Sequence, residues 1–193
     1  MHRAGAVVPL LALLALGACA PGMASAPSMR AFEVPAACPA LSDGFQDNSG
    51  LARSRGALAS GRLTILAVGS SSIEGVGASS RELSYVPLVE AGLREAFPDA
   101  RITVINRGIG GETTADTVKR LQAEIDAARP DLVLWQLGTN DMLRDLTVAQ
   151  VVAEFDRGRD ILDAAGVDVV LIDPQRLDGD VWQAQSLNHH WRH

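Results

Sequence analysis

Leu63-Thr-Ile-Leu-Ala-Val68 runs directly into Gly69-Ser-Ser-Ser-Ile-Glu-Gly75, and this junction decides the fold. A short aliphatic run reads as a strand buried on both faces, and the glycine- and serine-rich stretch behind it reads as a turn. The same pairing recurs twice downstream. Arg101-Ile-Thr-Val-Ile-Asn106 leads into Arg107-Gly-Ile-Gly-Gly111, and Asp131-Leu-Val-Leu-Trp-Gln-Leu137 leads into Gly138-Thr-Asn-Asp141. A last run, Val167-Asp-Val-Val-Leu-Ile172, supplies a fourth strand.

Helical periodicity fills the gaps between these strands. Val86, Val89, Leu93 and Phe97 recur at steps of three and four before Pro98, and Val118, Leu121, Ile125 and Ala128 do so before Pro130. Thr147-Val-Ala-Gln150 has the spacing of a capping box; Val148, Val152, Phe155 and Leu162 are the expected buried stripe, and Gly166 is the expected stop. Leu51 to Leu63 is expected to hold a short helix, weakened by Gly56 and Gly61. Strands alternating with amphipathic helices imply an α/β fold: a three-layer α/β/α domain on a parallel sheet. Right-handed crossovers with the first strand central give the flavodoxin-like order 2-1-3-4, with no fifth strand legible. That order sets the three polar turns side by side at the carboxyl ends of adjacent strands, where open α/β sheets bind ligands.

At 193 residues and a formal charge of −6, with acidic and basic residues interspersed, the chain has room for one core and no basic stripe for nucleic acid. The amino terminus has the layout of an export signal. Met1-His-Arg3 is positive, Ala4 to Leu16 is apolar, and small residues follow before Pro21-Gly22, too short a run for a membrane-spanning helix. Leu16-Gly-Ala-Cys19 resembles the lipobox of bacterial lipoproteins, which makes Cys19 the expected lipid attachment point and puts the protein in the cell envelope, anchored to a membrane. The expected division is a signal peptide over 1–18, a lipidated Ala/Pro/Ser-rich tether over 19–48, a domain over 49–175 and an irregular tail over 176–193. Cys38 then has no partner for an intrachain disulfide.

The turns themselves suggest chemistry. Ser70, Ser71 and Ser72 stand where a strand ends, either as helix caps or as an exposed alcohol nucleophile. A serine-rich turn opening a helix also suits a phosphate, as in flavodoxin-type proteins. Gly108, Gly110 and Gly111 allow backbone to approach a ligand closely, and Asn140 offers a neutral amide donor to a negative oxygen. Neither feature is needed for phosphate. Gly69-Ser70-Ser71, Asn106-Arg-Gly-Ile-Gly-Gly111 and Gly138-Thr-Asn-Asp141 together resemble the SGNH/GDSL hydrolase family, whose blocks read Gly-Asp-Ser, Asn-x-Gly-x-x-Gly and Gly-x-Asn-Asp, with Ser70 here in place of the aspartate. The resemblance spans Leu63 to Gln175. It implies Ser71 as nucleophile, with Ser71 N–H, Gly111 N–H and Asn140 as the oxyanion hole. It implies no metal and no cofactor. Gln136 and Thr139 flank the site, and Asp141 is expected to brace the turn through backbone hydrogen bonds.

The family's fourth block, Asp-x-x-His, is not in the sequence. His189, His190 and His193 have no aspartate three residues ahead of them, and Asp178 and Asp180 lie too far upstream. The loss of periodicity after Gln175 is that of a truncated or frameshifted longer chain. Two functional expectations follow: an exported serine ester hydrolase acting on a small ester or an acylated glycan or lipid, or a binding module of the same fold that lacks its Asp-His pair. A flavodoxin-like phosphate or flavin binder is a third, disfavoured by Gly111 and Asn140.

Overall fold

A computed structural model describes residues 50–172. The signal peptide, Cys19, Cys38, the tether and the tail with His189, His190 and His193 lie outside the described residues. Helix α1 (Ala52–Ala59) precedes strand β1 (Arg62–Gly69), the one-turn helix α2 (Ser71–Glu74), α3 (Tyr85–Ala96), β2 (Arg101–Gly108) and α4 (Thr114–Ala128). Then come β3 (Leu132–Gln136), the short α5 (Thr139–Leu143), α6 (Val148–Ala165) and β4 (Asp168–Ile172). The strands form one sheet in the order β2-β1-β3-β4, all parallel, as the sequence predicts.

Five of the six residues from Leu63 to Val68 in β1 are aliphatic because both of its faces are covered. Alternate residues of a strand point to opposite sides. Leu63, Ile65 and Ala67 pack with Val86 of α3 and Ile102 of β2, whereas Leu66 and Val68 pack with Leu121 and Ile125 of α4 and Phe155 and Leu162 of α6. β4 is half-buried along its whole length, as suits a strand at the sheet's margin among the described residues.

The capping boxes form. Thr147 and Gln150 close one at the start of α6, and Thr113 and Asp116 close another at the start of α4, each side chain accepting from or reaching back to the other's backbone. Gly166 ends α6 at φ 61°, in the left-handed region. The buried stripe of α6 differs from the expected one: Phe155 and Leu162 join the core against the sheet and Gly158 lies against Trp135, while Val151 packs with Met142 in a small separate cluster beside Val148 and Val152. Trp135 is the reason. Its indole is fully buried on β3, stacks on Phe155 at 5.8 Å between ring centroids, and occupies the space a side chain on Gly158 would need.

Helix propensity alone favours Gly158→Ala by about 1 kcal/mol. The built Cβ would lie 2.8 Å from Trp135 Cζ3 and closer still to the neighbouring ring atom, so packing decides the sign. The expected outcome is a loss of about 1–3 kcal/mol in urea unfolding, typical of an overpacked core; a stabilised Gly158→Ala would contradict the Trp135–Gly158 fit.

Candidate active site

The first turn sorts its serines by hydrogen bonding. Ser70, the residue before α2, is buried and makes no helix cap; its N–H and Oγ both donate to Gln136 Oε1, at 3.2 and 3.0 Å. Gln136 Nε2 donates in turn to Thr139 Oγ1 at 3.1 Å, so the ends of β1 and β3 are joined through buried side chains. Ser71 opens α2 half-buried, and neither its N–H nor its Oγ has a hydrogen-bond partner among the described residues. Gly69 makes this possible. It sits at φ 146°, and a Cβ there would lie 2.7 Å from Gln136 O and 2.9 Å from Ile73 Cγ1.

The second turn is a closed account with one exception. Backbone N–H groups seek partners, so an unpaired one carries information. Gly108 N–H goes to Asn106 Oδ1, Ile109 N–H to Gly69 O, Gly110 N–H to Glu74 Oε2, Glu112 N–H to Ile109 O, Thr113 N–H to Asp116 Oδ2 and Thr114 N–H to Asp141. Gly111 N–H alone in this run has no partner among the described residues. Gly111 is exposed and adopts φ 81°, a conformation glycine takes without penalty. Gly108 is needed for room, since a Cβ would drive into the backbone of Ile73 and Glu74 in α2.

The third turn reaches across to the second. Asn140 Nδ2 donates to Glu112 O at 2.8 Å, which engages one of its two amide hydrogens and leaves the other. Asp141, only 1% exposed, accepts from Thr114 N–H at 2.9 and 3.1 Å and from Thr114 Oγ1 at 3.0 Å. It braces backbone, as expected, though the backbone is that of the neighbouring turn. Arg144 Nη2 donates to Gly111 O at 2.7 Å. Behind the turn, Arg120 holds Glu112 in a largely buried ion pair at 2.6 Å.

These ties draw the expected residues into one crevice. Asn140 is bonded to the residue after Gly111, and a Cβ on Gly110, the residue before it, would touch Ser71 Cβ at 4.0 Å. Among the described residues, the crevice thus offers one unpartnered hydroxyl and three open donors of neutral charge: Ser71 N–H, Gly111 N–H and the second Asn140 N–H. Such donors suit an oxygen that gains negative charge. A cavity of about 340 Å³ adjoins α2, bounded by Ser72, Val76, Leu83, Tyr85, Gln136 and Ile172. Among the described residues no group of three His, Cys, Asp or Glu side chains could hold a metal ion.

Asp116 titrates abnormally. Hydrogen bonds from Lys119 and from the side chain and backbone of Thr113 hold its carboxyl down to about 2, below its ordinary 3.8. A folded value below the unfolded one means that the carboxylate favours the native state above the unfolded value, an advantage lost as pH falls from 3.8 toward 2. Thermal unfolding should therefore find the wild type above Asp116→Asn at about pH 6, with the gap closing in that acid window. A gap independent of pH would remove the carboxylate from the cap.

Residues 37–178 match the non-GDSL lipase-like family, and the chain belongs to it. Among curated relatives it is 34% identical over 91 residues to an arylesterase of Vibrio mimicus, covering 47% of this chain and 44% of that one. It is 35% identical over 88 residues to esterase TesA of Pseudomonas aeruginosa, covering 46% of this chain and 42% of that one. A shorter match joins it to an acetylxylan esterase of Geobacillus stearothermophilus, 37% identical over 60 residues, which are 31% of this chain and 27% of that one. The chain spans less than half the length of these curated relatives.

Solved structures agree on the fold. The crystal structure of TesA superposes with a TM-score of 0.59 at 27% identity over 66% of this chain and 69% of that one, and the SGNH-hydrolase family esterase AlinE4 with 0.58 at 26% over 65% and 67%. A two-domain esterase active on acetylated mannans, co-crystallized with mannopentaose, gives 0.61 at 28% over 70% of this chain and 36% of that one. The chain is thus related, at the level of family, to the SGNH-type esterases.

Sequence reasoning missed Glu74, Arg144 and Arg120, which pin the glycine turn. Glu74 stands one helical turn after Ser71, but nothing in that spacing announces a partner in β2's exit loop.

Proposed function

We propose that Ser71 is the nucleophile of a serine ester hydrolase, with Ser71 N–H, Gly111 N–H and Asn140 Nδ2 receiving the carbonyl oxygen as it becomes negative. Ser71 Oγ attacks the ester carbonyl carbon, the carbonyl π pair moves onto oxygen, and the serine proton passes to a base. Collapse of the tetrahedral oxyanion breaks the bond to the alcohol, which leaves with that proton while the acyl group stays on Ser71; water repeats the sequence and releases the acid. The single observation that carries this reading is that, among the described residues, the Gly111 N–H is unpaired in a turn whose neighbours are all bonded, beside a serine hydroxyl with no partner.

The substrate class is a small ester or an acyl group on a glycan or lipid, a reading supported by relatives named for acetylxylan and acetylated mannan. Residues 1–18 serve as export signal, Cys19 carries lipid, 19–48 form the tether and 49–175 the domain, so the reaction faces the cell envelope. By the family resemblance the base belongs to an Asp-x-x-His block, which the 193 residues do not contain.

That absence favours a second reading. Deleting the histidine of a serine-protease triad costs about a millionfold in turnover. The chain alone would then hold an acylated ligand without turning it over. Incubation of the full chain with p-nitrophenyl acetate, followed by peptide mapping, tests the assignment. One acetyl group is expected on Ser71 and none at that position in Ser71→Ala. Acetylation confined to surface lysines would reject Ser71 as nucleophile and leave the binding module.

A further inference from the structure

The open N–H of Gly111 belongs to the peptide unit between Gly110 and Gly111, and two glycines in sequence leave such a unit free to flip. A flip would withdraw the donor and turn Gly110 C=O, an acceptor, toward an incoming oxyanion. Something must hold the unit, and side chains of opposite charge grip the peptides on either side of it. Ahead of it, Gly110 N–H donates to Glu74 Oε2 at 2.6 Å. Behind it, Gly111 O accepts from Arg144 Nη2 at 2.7 Å.

Glu74 is well placed for this. It lies on α2 with Ser71, and a Cβ on Gly110 would meet both Glu74 Oε2, at 2.8 Å, and Ser71 Cβ, at 4.0 Å, so carboxylate, glycine and serine form one contact group. Its side chain is exposed, and among the described residues Gly110 N–H is its one hydrogen-bond partner, so the helix gains nothing else from it. A carboxylate accepting from a backbone N–H makes a strong hydrogen bond.

We propose that Glu74, with Arg144 behind it, is a positioning residue that pins the peptide ahead of Gly111 and thereby keeps the Gly111 N–H open to the crevice. The catalytic consequence rests on Ser71 being the nucleophile; the clamp itself does not. Glu74 touches no reacting atom. What it supplies is an acceptor, so glutamine, which keeps a carbonyl oxygen at the same reach, should largely replace it.

Two readouts on Glu74→Ala and Glu74→Gln test this. Amide exchange by NMR reads the clamp directly: Gly110 N–H should exchange about tenfold faster in Glu74→Ala and stay near wild type in Glu74→Gln. Acetyl transfer from p-nitrophenyl acetate to Ser71 reads the consequence: Glu74→Ala should be about 10- to 100-fold slower at saturating ester, with half-saturation and melting temperature unchanged, and Glu74→Gln should recover most of the rate. An unchanged Gly110 exchange rate in Glu74→Ala overturns the proposal. So does a Glu74→Gln variant as slow as Glu74→Ala, since that would make the charge, not the acceptor, the active element. If Ser71 takes no acetyl group in any variant, the hydrolase reading fails, and the exchange measurement alone decides the clamp.

Discussion

Asn140→Ala is expected to slow acyl transfer to Ser71 by about 100- to 1000-fold, the usual cost of removing one oxyanion donor. The fold should scarcely notice. Asn140 is half-buried, and the one hydrogen bond its side chain makes among the described residues, to Glu112 O, leaves behind a carbonyl of a half-buried residue to which water can donate instead. Half-saturation by ester should also hold, because a neutral carbonyl oxygen gains little from the amide before charge develops on it. Rates of Ser71 acetylation and thermal unfolding of the same variant check both halves; a melting temperature that fell in step with the rate would make Asn140 a structural residue only.

The neighbouring position should behave in the opposite way. Asp141→Ala is expected to cost about 3 kcal/mol of stability, since hydrogen bonds to a charged acceptor contribute more than neutral ones and a buried donor left unpaired is costly. The carboxylate is 1% exposed and takes both the N–H and the hydroxyl of Thr114, at the first turn of α4, whose backbone dipole favours a negative group there. Its loss frees α4 from α5 and loosens the second turn from the third. Asp141→Asn keeps an acceptor and should lose less. Urea unfolding of the two variants gives the ranking, and equal losses would mean that the negative charge, rather than the acceptor, is what Thr114 and the helix terminus require.

The sheet was legible because each strand is a run of aliphatic residues closed by a glycine- or proline-bearing segment, and because helices of regular period separate them. Thr147 and Gln150 announced the start of α6 by spacing alone. The face of that helix was not legible, because Gly158 turns inward to seat the indole of Trp135 from β3, a fact of shape that periodicity does not encode. Ser71, Gly111 and Asn140 could be read because each sits in a short ordered motif. Glu74 could not. Its partner Gly110 lies 36 residues on, and only the sheet order brings the two together. Gln136 was visible as a polar residue beside the site, but its bonds to Ser70 span 66 residues.

Those bonds to Gln136 bear on how this lineage could change. Ser70 stands where the GDSL pattern has aspartate, and it contributes a hydroxyl proton to a buried carbonyl oxygen. A carboxylate there would have no proton to give and would confront that oxygen with another of its own sign. Positions 70 and 136 therefore constrain each other: exchange at one becomes tolerable once its opposite number presents a donor, so the pair should be inherited as a unit and not drift singly.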